Sequence, residues 1–386
     1  MIRVLHASDP EEACRRLDFH GVIQADRTRL VRDLRPYLLC IPDGEMAHAL
    51  FPLLARRKIP LAWGKRLLFF SISSVDQLEQ WTEEDGGSRG ALGPVREAIR
   101  RTLERDFVVP CRERELRLGG SPGIIGILNV TPDSFSDAGK YYSAEAAVRG
   151  GLEMVAEGAD IIDIGGESTR PGSVPVPADE EIARVVPVIR ELARETGALL
   201  SVDTTKAAVA REAISAGARI VNDTSALADD PEMAGVIGES GCAVVLMHRR
   251  GTPATMQLAP SYESLFDEML EEIQKRIDVA VKAGIPKERI LIDPGVGFGK
   301  RFEDNLALHR HLPDLRNLGR PVVFGPSRKA FIGRITGREA SGRIFGTAAS
   351  VAFAASRGVD ILRVHDVKEM KEVVRVVTAI REGDEC

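Results

Sequence analysis

The chain has 386 residues, 44% of them hydrophobic and 28% charged, with a net charge of −5. That size suits one large globular domain plus a smaller one. Acidic and basic residues are mixed throughout, so no basic tail or stripe offers itself to nucleic acid, and no apolar run is long enough to span a bilayer.

The N-terminus, MIRVLHASDPEEACRR, has no long apolar core and no small-residue cleavage pattern, so no signal peptide is expected. Five cysteines (Cys14, Cys40, Cys111, Cys242, Cys386) lie scattered without CxxC spacing. An odd, dispersed set fits a reducing compartment, and the cytoplasm is the expected location. Aromatics make up 5% and glycines number 36, a balance suited to α/β packing and poorly suited to stacking single-stranded bases.

Residues 1–109 read as a small α/β domain. Strands are expected at 2–7, 38–42 and 66–72, and helices at 44–57, 74–83 and 93–105. Asp9-Pro10-Glu11-Glu12 has the composition of a helix start, with a capping Asp, an early Pro and acids against the dipole. The segment has no phosphate-binding glycine motif, no paired carboxylates and no metal cluster; His6, His20 and His48 stand alone. It is expected to be an accessory or oligomerisation domain.

Residues 110–386 have a different rhythm. RELRLGGSPGII, with the Gly119–Gly120 pair, reads as a hairpin that plugs the N-terminal end of a barrel. Short apolar runs then recur at 124–128, 161–164, 199–202, 219–222, 243–247, 289–292, 321–324 and 361–364. Their uniform apolarity marks strands buried on both faces. Helical segments separate them, for example 144–157, 179–195, 205–216, 264–283 and 343–356. Several end at a glycine followed at once by the next strand, as in EGADIIDIGG and SAGARIVND. Eight βα units over this length predict a TIM (β/α)8 barrel preceded by the small α/β domain. A doubly wound open sheet is the alternative, with fewer strands and one switch point.

In such a barrel the chemistry lies where the strands end. Asn129, Asp163 with Gly165–Gly166, Asp203, Asn222–Asp223, Met247–His248, Asp293, Ser327–Arg328–Lys329, and Arg363 with His365 stand there in turn. The loop GGESTRPGS (165–173) offers backbone N–H groups, hydroxyls and a guanidinium to an anion. DPGVGFGK (293–300) begins with a carboxylate, so Asp293 is its functional element and its glycines allow close approach to a flat ligand. Arg363 and His365, two apart on a strand, point the same way and would bind an anion together. Asp203, Asn222 and Asp293 converge on a cavity whose acceptors suit a donor-rich heterocycle with an aminopyrimidine edge. His248 is either a ligand contact or a packed histidine. No Ser-His-Asp nucleophile and no three-ligand zinc spacing is present.

The segments GILNVTPDSFSD, IIDIGGESTRPGS, SVDTTK, IVNDTS, VVLMHRRGTPATMQ, LIDPGVGFGK, PSRKAFIG and GVDILRVHDV follow one another, one per strand, from Gly123 to Glu382. This region resembles the dihydropteroate synthases. The resemblance implies condensation of 6-hydroxymethyl-7,8-dihydropterin diphosphate with 4-aminobenzoate, giving 7,8-dihydropteroate and pyrophosphate, and sensitivity to sulfonamides. It implies that Asp203, Asn222, Asp293 and Lys329 hold the pterin, with Asp293 on its aminopyrimidine edge. Asn129 would bind Mg2+ and the diphosphate. Arg170, Arg363 and His365 would clamp the anion, and Thr169 would touch the diphosphate-bearing end. Phe135, Pro171, Phe298, Lys329 and Ser327 would frame the aminobenzoate. Asp203, Lys329, Arg363 and His365 would be the catalytic set, acting by SN1-like substitution while the 129–140 and 165–175 loops close. A homodimer is implied too, with helix 343–356 as a candidate interface. Pro326, Ala330, Arg249–Arg250 and Ala138–Lys140 depart from the common pattern. A pterin-dependent methyltransferase and a non-catalytic pterin-binding protein are the alternatives.

Overall fold

The computed structural model describes residues 2–5, 13, 17, 22, 30, 37–42, 44–57, 59–64, 67–72, 89–130, 140–168, 175–252 and 254–383. Two compact units emerge. One comprises Met1–Glu104 with Pro313–Gly319; the other comprises Arg105–Leu312 with Arg320–Cys386.

In the first unit, β1 (Arg3–Leu5), β2 (Tyr37–Pro42), β3 (Leu61–Trp63) and β4 (Leu67–Ile72) form an antiparallel sheet of order β1-β2-β4-β3. The run LLFF is apolar at every position because both faces of this sheet are covered. Leu39, Ile41, Leu68 and Phe70 face a core shared with the helices Glu45–Arg56 and Arg89–Leu103. Leu38, Cys40 and Phe69 face a second cluster on the other side. At the edge strand β1, the Asn317 amide accepts from Val4 N at 2.7 Å and donates to Val4 O at 2.9 Å, covering part of the exposed strand edge. Strand β3 is not expected from the sequence. The expected helix at 74–83 and the helix start at Asp9 fall outside the described residues.

In the second unit, β5 (Phe107–Cys111) and β6 (Arg114–Leu118) make the hairpin. It turns at Arg112–Glu113, with Arg112 at φ 59°, one strand earlier than the Gly119–Gly120 pair suggests. Eight parallel strands follow: β7 (Gly123–Asn129), β8 (Ile161–Gly165), β9 (Leu199–Asp203), β10 (Ile220–Asp223), β11 (Ala243–Met247), β12 (Ile290–Asp293), β13 (Val323–Phe324) and β14 (Ile361–Val364). Their order is β12-β11-β10-β9-β8-β7-β14-β13, and a parallel bridge from Ile292 to Val322 brings the two ends together. At least one helix follows every strand. This is the (β/α)8 barrel the sequence predicts.

Each strand contributes at least one residue to a core layer: Ile125, Ile161, Leu199, Ile220, Val245, Leu291, Val323 and Ile361. The hairpin packs Val109, Cys111, Leu116 and Leu118 against the same layer. Each such buried aliphatic contributes about 1.5–3 kcal/mol relative to an exposed one. The plugged end is therefore structural, and polar residues are left for the opposite, C-terminal end.

The helix Leu265–Lys282 shows how the outer ring is encoded. Met269, Leu270, Ile273, Ile277 and Ala280 recur with helical spacing and are buried. Asp267 and Glu268 sit in the first turn against the dipole, and Glu268 accepts from Ser264 N at 2.9 Å. This seating carries Glu272 toward the end of β11. Among the described residues, no helix is long and apolar enough to cross a membrane.

Candidate active site

The centre of the barrel mouth is an ion cluster built from three strand ends. Arg363, from β14, donates from Nε to Asp163 Oδ2 and from Nη2 to Asp203 Oδ2, both at 2.7 Å. Asp163, buried on β8, also accepts from Asn222 Nδ2 of β10 at 2.9 Å. That bond fixes the Asn222 amide, because a carboxylate in an ion pair can only accept. Asn222 Oδ1 is thereby left as the acceptor. Asp163 Oδ1 and Asp203 Oδ1 are buried and have no partner among the described residues. Two orphaned buried acceptors call for donors from a ligand.

Asp163 belongs to the strand-end series of the sequence, but the resemblance gives it no role at the site. It is visible at a strand end, in IIDIGG, but its partners lie 59 and 200 residues away. The structure also qualifies Arg363 as an anion clamp: two of its nitrogens are committed to carboxylates.

Asp293, at the end of β12, is buried, and Gly295 N donates to its Oδ1 at 2.7 Å. Burial raises its pKa. Lys329, at the N-terminus of the helix Ala330–Thr336, holds Nζ 4.3 Å from the centroid of the Phe298 ring. Burial, with Arg363 nearby, brings this ammonium down to about 8, while Asp293 and Asp203 pull the other way. Burial pushes Asp203 up to about 7 against the pull of Arg363. Asp163, Asp203 and Asp293 thus face Arg363 and Lys329, three carboxylates against two cations, so positive charge formed here is favoured.

His365 and Ser327 form a pair at the edge of the mouth. Ser327 Oγ lies 2.9 Å from His365 Nδ1 and accepts from His365 N at 3.2 Å. In the tautomer protonated at Nε2 the hydroxyl donates to Nδ1, and the ring N–H is turned away from Ser327. Burial, with Arg328 and Arg363 nearby, pushes His365 down to about 3. It offers a neutral N–H to an anion. Ser327 Oγ is committed to that ring.

Other polar residues at strand ends turn back into the protein. Asp223 accepts from Ser225 N, Ser225 Oγ and Leu227 N and caps its own loop. Arg328 pairs with Asp366. Lys206 bonds Glu167 and Glu181, the latter at 2.5 Å, and so anchors the start of the 165–173 loop. His248 is buried between Glu272 and Lys300. Of the two readings the sequence leaves open, the packed one holds.

Asn129 stands half-buried at the end of β7, paired in register with Gly165. Among the described residues, no three His, Cys, Asp or Glu side chains gather to hold a metal. One hard amide oxygen fits Mg2+ that arrives on a phosphate ligand better than a metal held by the chain alone. Phe135, Thr169, Arg170 and Pro171 lie outside the described residues.

The chain is similar to known proteins in sequence and fold. The family model described as "Pterin binding enzyme" matches residues 125–365. A dihydropteroate synthase of Bacillus subtilis is 43% identical over 279 residues, covering 72% of this chain and 95% of that protein. Among solved structures, Yersinia pestis dihydropteroate synthase with a sulfonamide drug complex is 42% identical, with a TM-score of 0.68 over 72% of this chain and 100% of that one. Dihydropteroate synthase from Xanthomonas albilineans in complex with 7,8-dihydropteroate is 44% identical, with a TM-score of 0.65 over 71% of this chain and 98% of that one.

Proposed function

The chain belongs to the dihydropteroate synthase family of pterin-binding enzymes, and on that premise we propose how its residues divide the work of joining 6-hydroxymethyl-7,8-dihydropterin diphosphate to 4-aminobenzoate. The observation that carries the reading is the pair of orphaned buried oxygens, Asp163 Oδ1 and Asp203 Oδ1, beside the fixed acceptor of Asn222. These are acceptors waiting for the N–H groups of a pterin.

Asp293 pairs with the aminopyrimidine edge, and Asn222 and Lys329 complete the pterin's contacts. The bond between the pterin methylene carbon and the bridging diphosphate oxygen breaks, and its electron pair leaves with pyrophosphate. The excess of carboxylates, Asp203 foremost, stabilises the cation left behind. The neutral amine of aminobenzoate then forms the new C–N bond and releases a proton to solvent. No strong base is required. His365 donates its neutral Nε2–H to the departing diphosphate. Arg363 steadies Asp203 and keeps Nη1 for an anion. Thr169 and Arg170 hold the diphosphate end; Phe135, Pro171, Phe298 and Lys329 frame the aminobenzoate. Asn129 would hold Mg2+, which when bound neutralises charge on the diphosphate and improves it as a leaving group.

Sulfonamides, as aminobenzoate mimics, should compete for the same face. Among the described residues Cys111 and Cys242 are free thiols, in keeping with a cytoplasmic enzyme. Residues 1–109 carry none of these groups and are assigned an accessory role. A homodimer through the helix Ile344–Ser356, which exposes Phe345 and Phe353, is the proposed assembly, and light scattering showing only monomer would reject it.

The test of the reaction is aminobenzoate-dependent release of pyrophosphate by the purified protein with Mg2+, the product being identified by mass spectrometry. Pterin binding without product would favour a methyltransferase or a binding protein.

A further inference from the structure

The last residue of DPGVGFGK is a buried lysine that the proposed chemistry does not use. Lys300 is 3% exposed. Its Nζ lies 3.0 Å from His248 Nδ1, 3.0 Å from Phe298 O and 3.3 Å from His248 O. An ammonium has three donors, and here each meets one acceptor.

The tautomer of His248 is set from its other side. His248 Nε2 is 2.9 Å from Glu272 Oε2, an acceptor. Nε2 therefore carries the ring proton, and Nδ1 is bare and open to Lys300. Burial and the neighbouring Lys300 push His248 down to about 4, in keeping with a neutral ring. Glu272 is itself held by Arg250. Burial draws Lys300 down to about 7; the carboxylates of Asp293, Asp304 and Glu272 oppose that, and Arg250 adds to it.

The two loops that this ammonium joins lie backbone against backbone. A β-carbon on Gly295 would stand 2.1 Å from His248 O, and one on Gly299 2.4 Å from Arg250 O. Tyr262 donates to Gly299 O at 2.7 Å, and Gln257 to Gly297 O at 2.6 Å. The Phe298 side chain packs with Met247 and Met256, and its ring lies beneath Lys329.

We propose that Lys300, oriented through His248 and Glu272, is a positioning residue that sets where Phe298 stands against the aminobenzoate. It touches neither substrate. Its bond to Phe298 O fixes the backbone that carries the ring, while its bonds to His248 tie that backbone to the end of β11. Asp293 is held by His248 N donating to its carbonyl at 2.8 Å and by Gly295 N donating to its Oδ1 at 2.7 Å, and neither of these bonds is made by Lys300. The inference rests on the proposed placing of aminobenzoate beside Phe298.

Lys300→Met retains the stem and removes the three bonds. The expected result is a folded enzyme with KM for aminobenzoate raised about tenfold and KM for the pterin diphosphate within about twofold of wild type, a misplacement effect confined to one substrate. His248→Leu should behave the same way, and His248→Asn, which restores an acceptor near Nδ1, should recover most of the loss. A merely structural role would lower the active fraction, so that kcat falls with both KM values unchanged. That result, or equal rises in both KM values, overturns the proposal. Should Lys300→Met fail to fold, the contrast between His248→Leu and His248→Asn decides in its place. A wild type without aminobenzoate-dependent turnover would sink the functional reading and this inference together; a wild type that turns over, with unchanged KM in folded variants, sinks this inference alone.

Discussion

Arg363 Nε donates to Asp163 Oδ2 at 2.7 Å across 200 residues of sequence, and the same carboxylate oxygen accepts from Asn222. One buried aspartate thus orients a guanidinium and an amide that both face the proposed pterin. Asp163→Asn keeps the shape and removes the charge. Arg363 would then rest on Asp203 alone, and the Asn222 amide would be free to turn over. The expected outcome is a loss of pterin diphosphate affinity of about tenfold or more, with stability lowered by about 3 kcal/mol, as for a broken buried pair. Calorimetric titration and a denaturant melt measure the two; if neither changes, Asp163 has no such role.

How far the sequence exposes this site depends on what each residue answers to. The strands are legible because runs such as AVVLM are buried at every position, and the first polar residue marks where the barrel wall ends. The eight strand ends can therefore be located from the order of residues alone. Whether a polar residue at such an end faces the cavity is not legible. Asp223 and Asp203 look alike in sequence, yet Asp223 bends onto Ser225 and Leu227 while Asp203 meets Arg363. Arg328 and Lys329 are adjacent, yet Arg328 takes a positive φ of 56° and turns to Asp366. These choices are made by partners from other strands, which local pattern cannot supply.

The pH dependence of turnover should be narrow. Asp203, raised to about 7, must be ionised to stabilise the cation, so kcat/KM for the pterin diphosphate should rise with pH through about 7. Lys329, lowered to about 8, must keep its proton to serve the ligand, so the rate should fall again through about 8. Asp203→Asn should abolish the acid limb and reduce kcat by about a hundredfold. An acid limb that persists unshifted in that variant would assign it to another group.

Stability should take a different pH course. Burial lowers His248 to about 4 and His365 to about 3, from an ordinary value of 6.5. Above about 6.5 neither folded nor unfolded histidine binds a proton, and these rings leave stability flat. As pH falls below that, the unfolded chain takes up protons that the folded one refuses, so stability declines from about 6.5 toward about 4. Glu272, held at about 2 by its bond to His248, adds a further loss below about 4.5. Denaturant midpoints of the wild type and of His365→Asn, measured from pH 6.5 to pH 4, check this: the difference between them isolates the ring from Asp203, which titrates with the opposite sign over the same range, and an unchanged slope in the variant would contradict the His365 assignment.

Two glycines separate a left-handed backbone from a close approach. Gly295 and Gly337 have nearly the same φ, 67° and 68°. Around Gly337 nothing lies within 4 Å of an added β-carbon, whereas at Gly295 that carbon would stand 2.1 Å from the His248 carbonyl oxygen. Gly337→Ala should therefore carry only the conformational penalty, about 1–2 kcal/mol, with turnover unchanged. Gly295→Ala adds a collision with backbone, which no side-chain rotation relieves. The ends of β11 and β12 must separate, and with them go the bond from His248 N to Asp293 O and the one from Gly295 N to Asp293 Oδ1. The second variant should lose stability by about 3 kcal/mol or more. Because Asp293 is freed, its pterin affinity should also collapse in whatever fraction stays folded. Parallel melts and pterin titrations of the two proteins read the difference directly. Equal losses in both would mean that the cost lies in backbone conformation alone, and that the packing of the two loops does not set the position of Asp293.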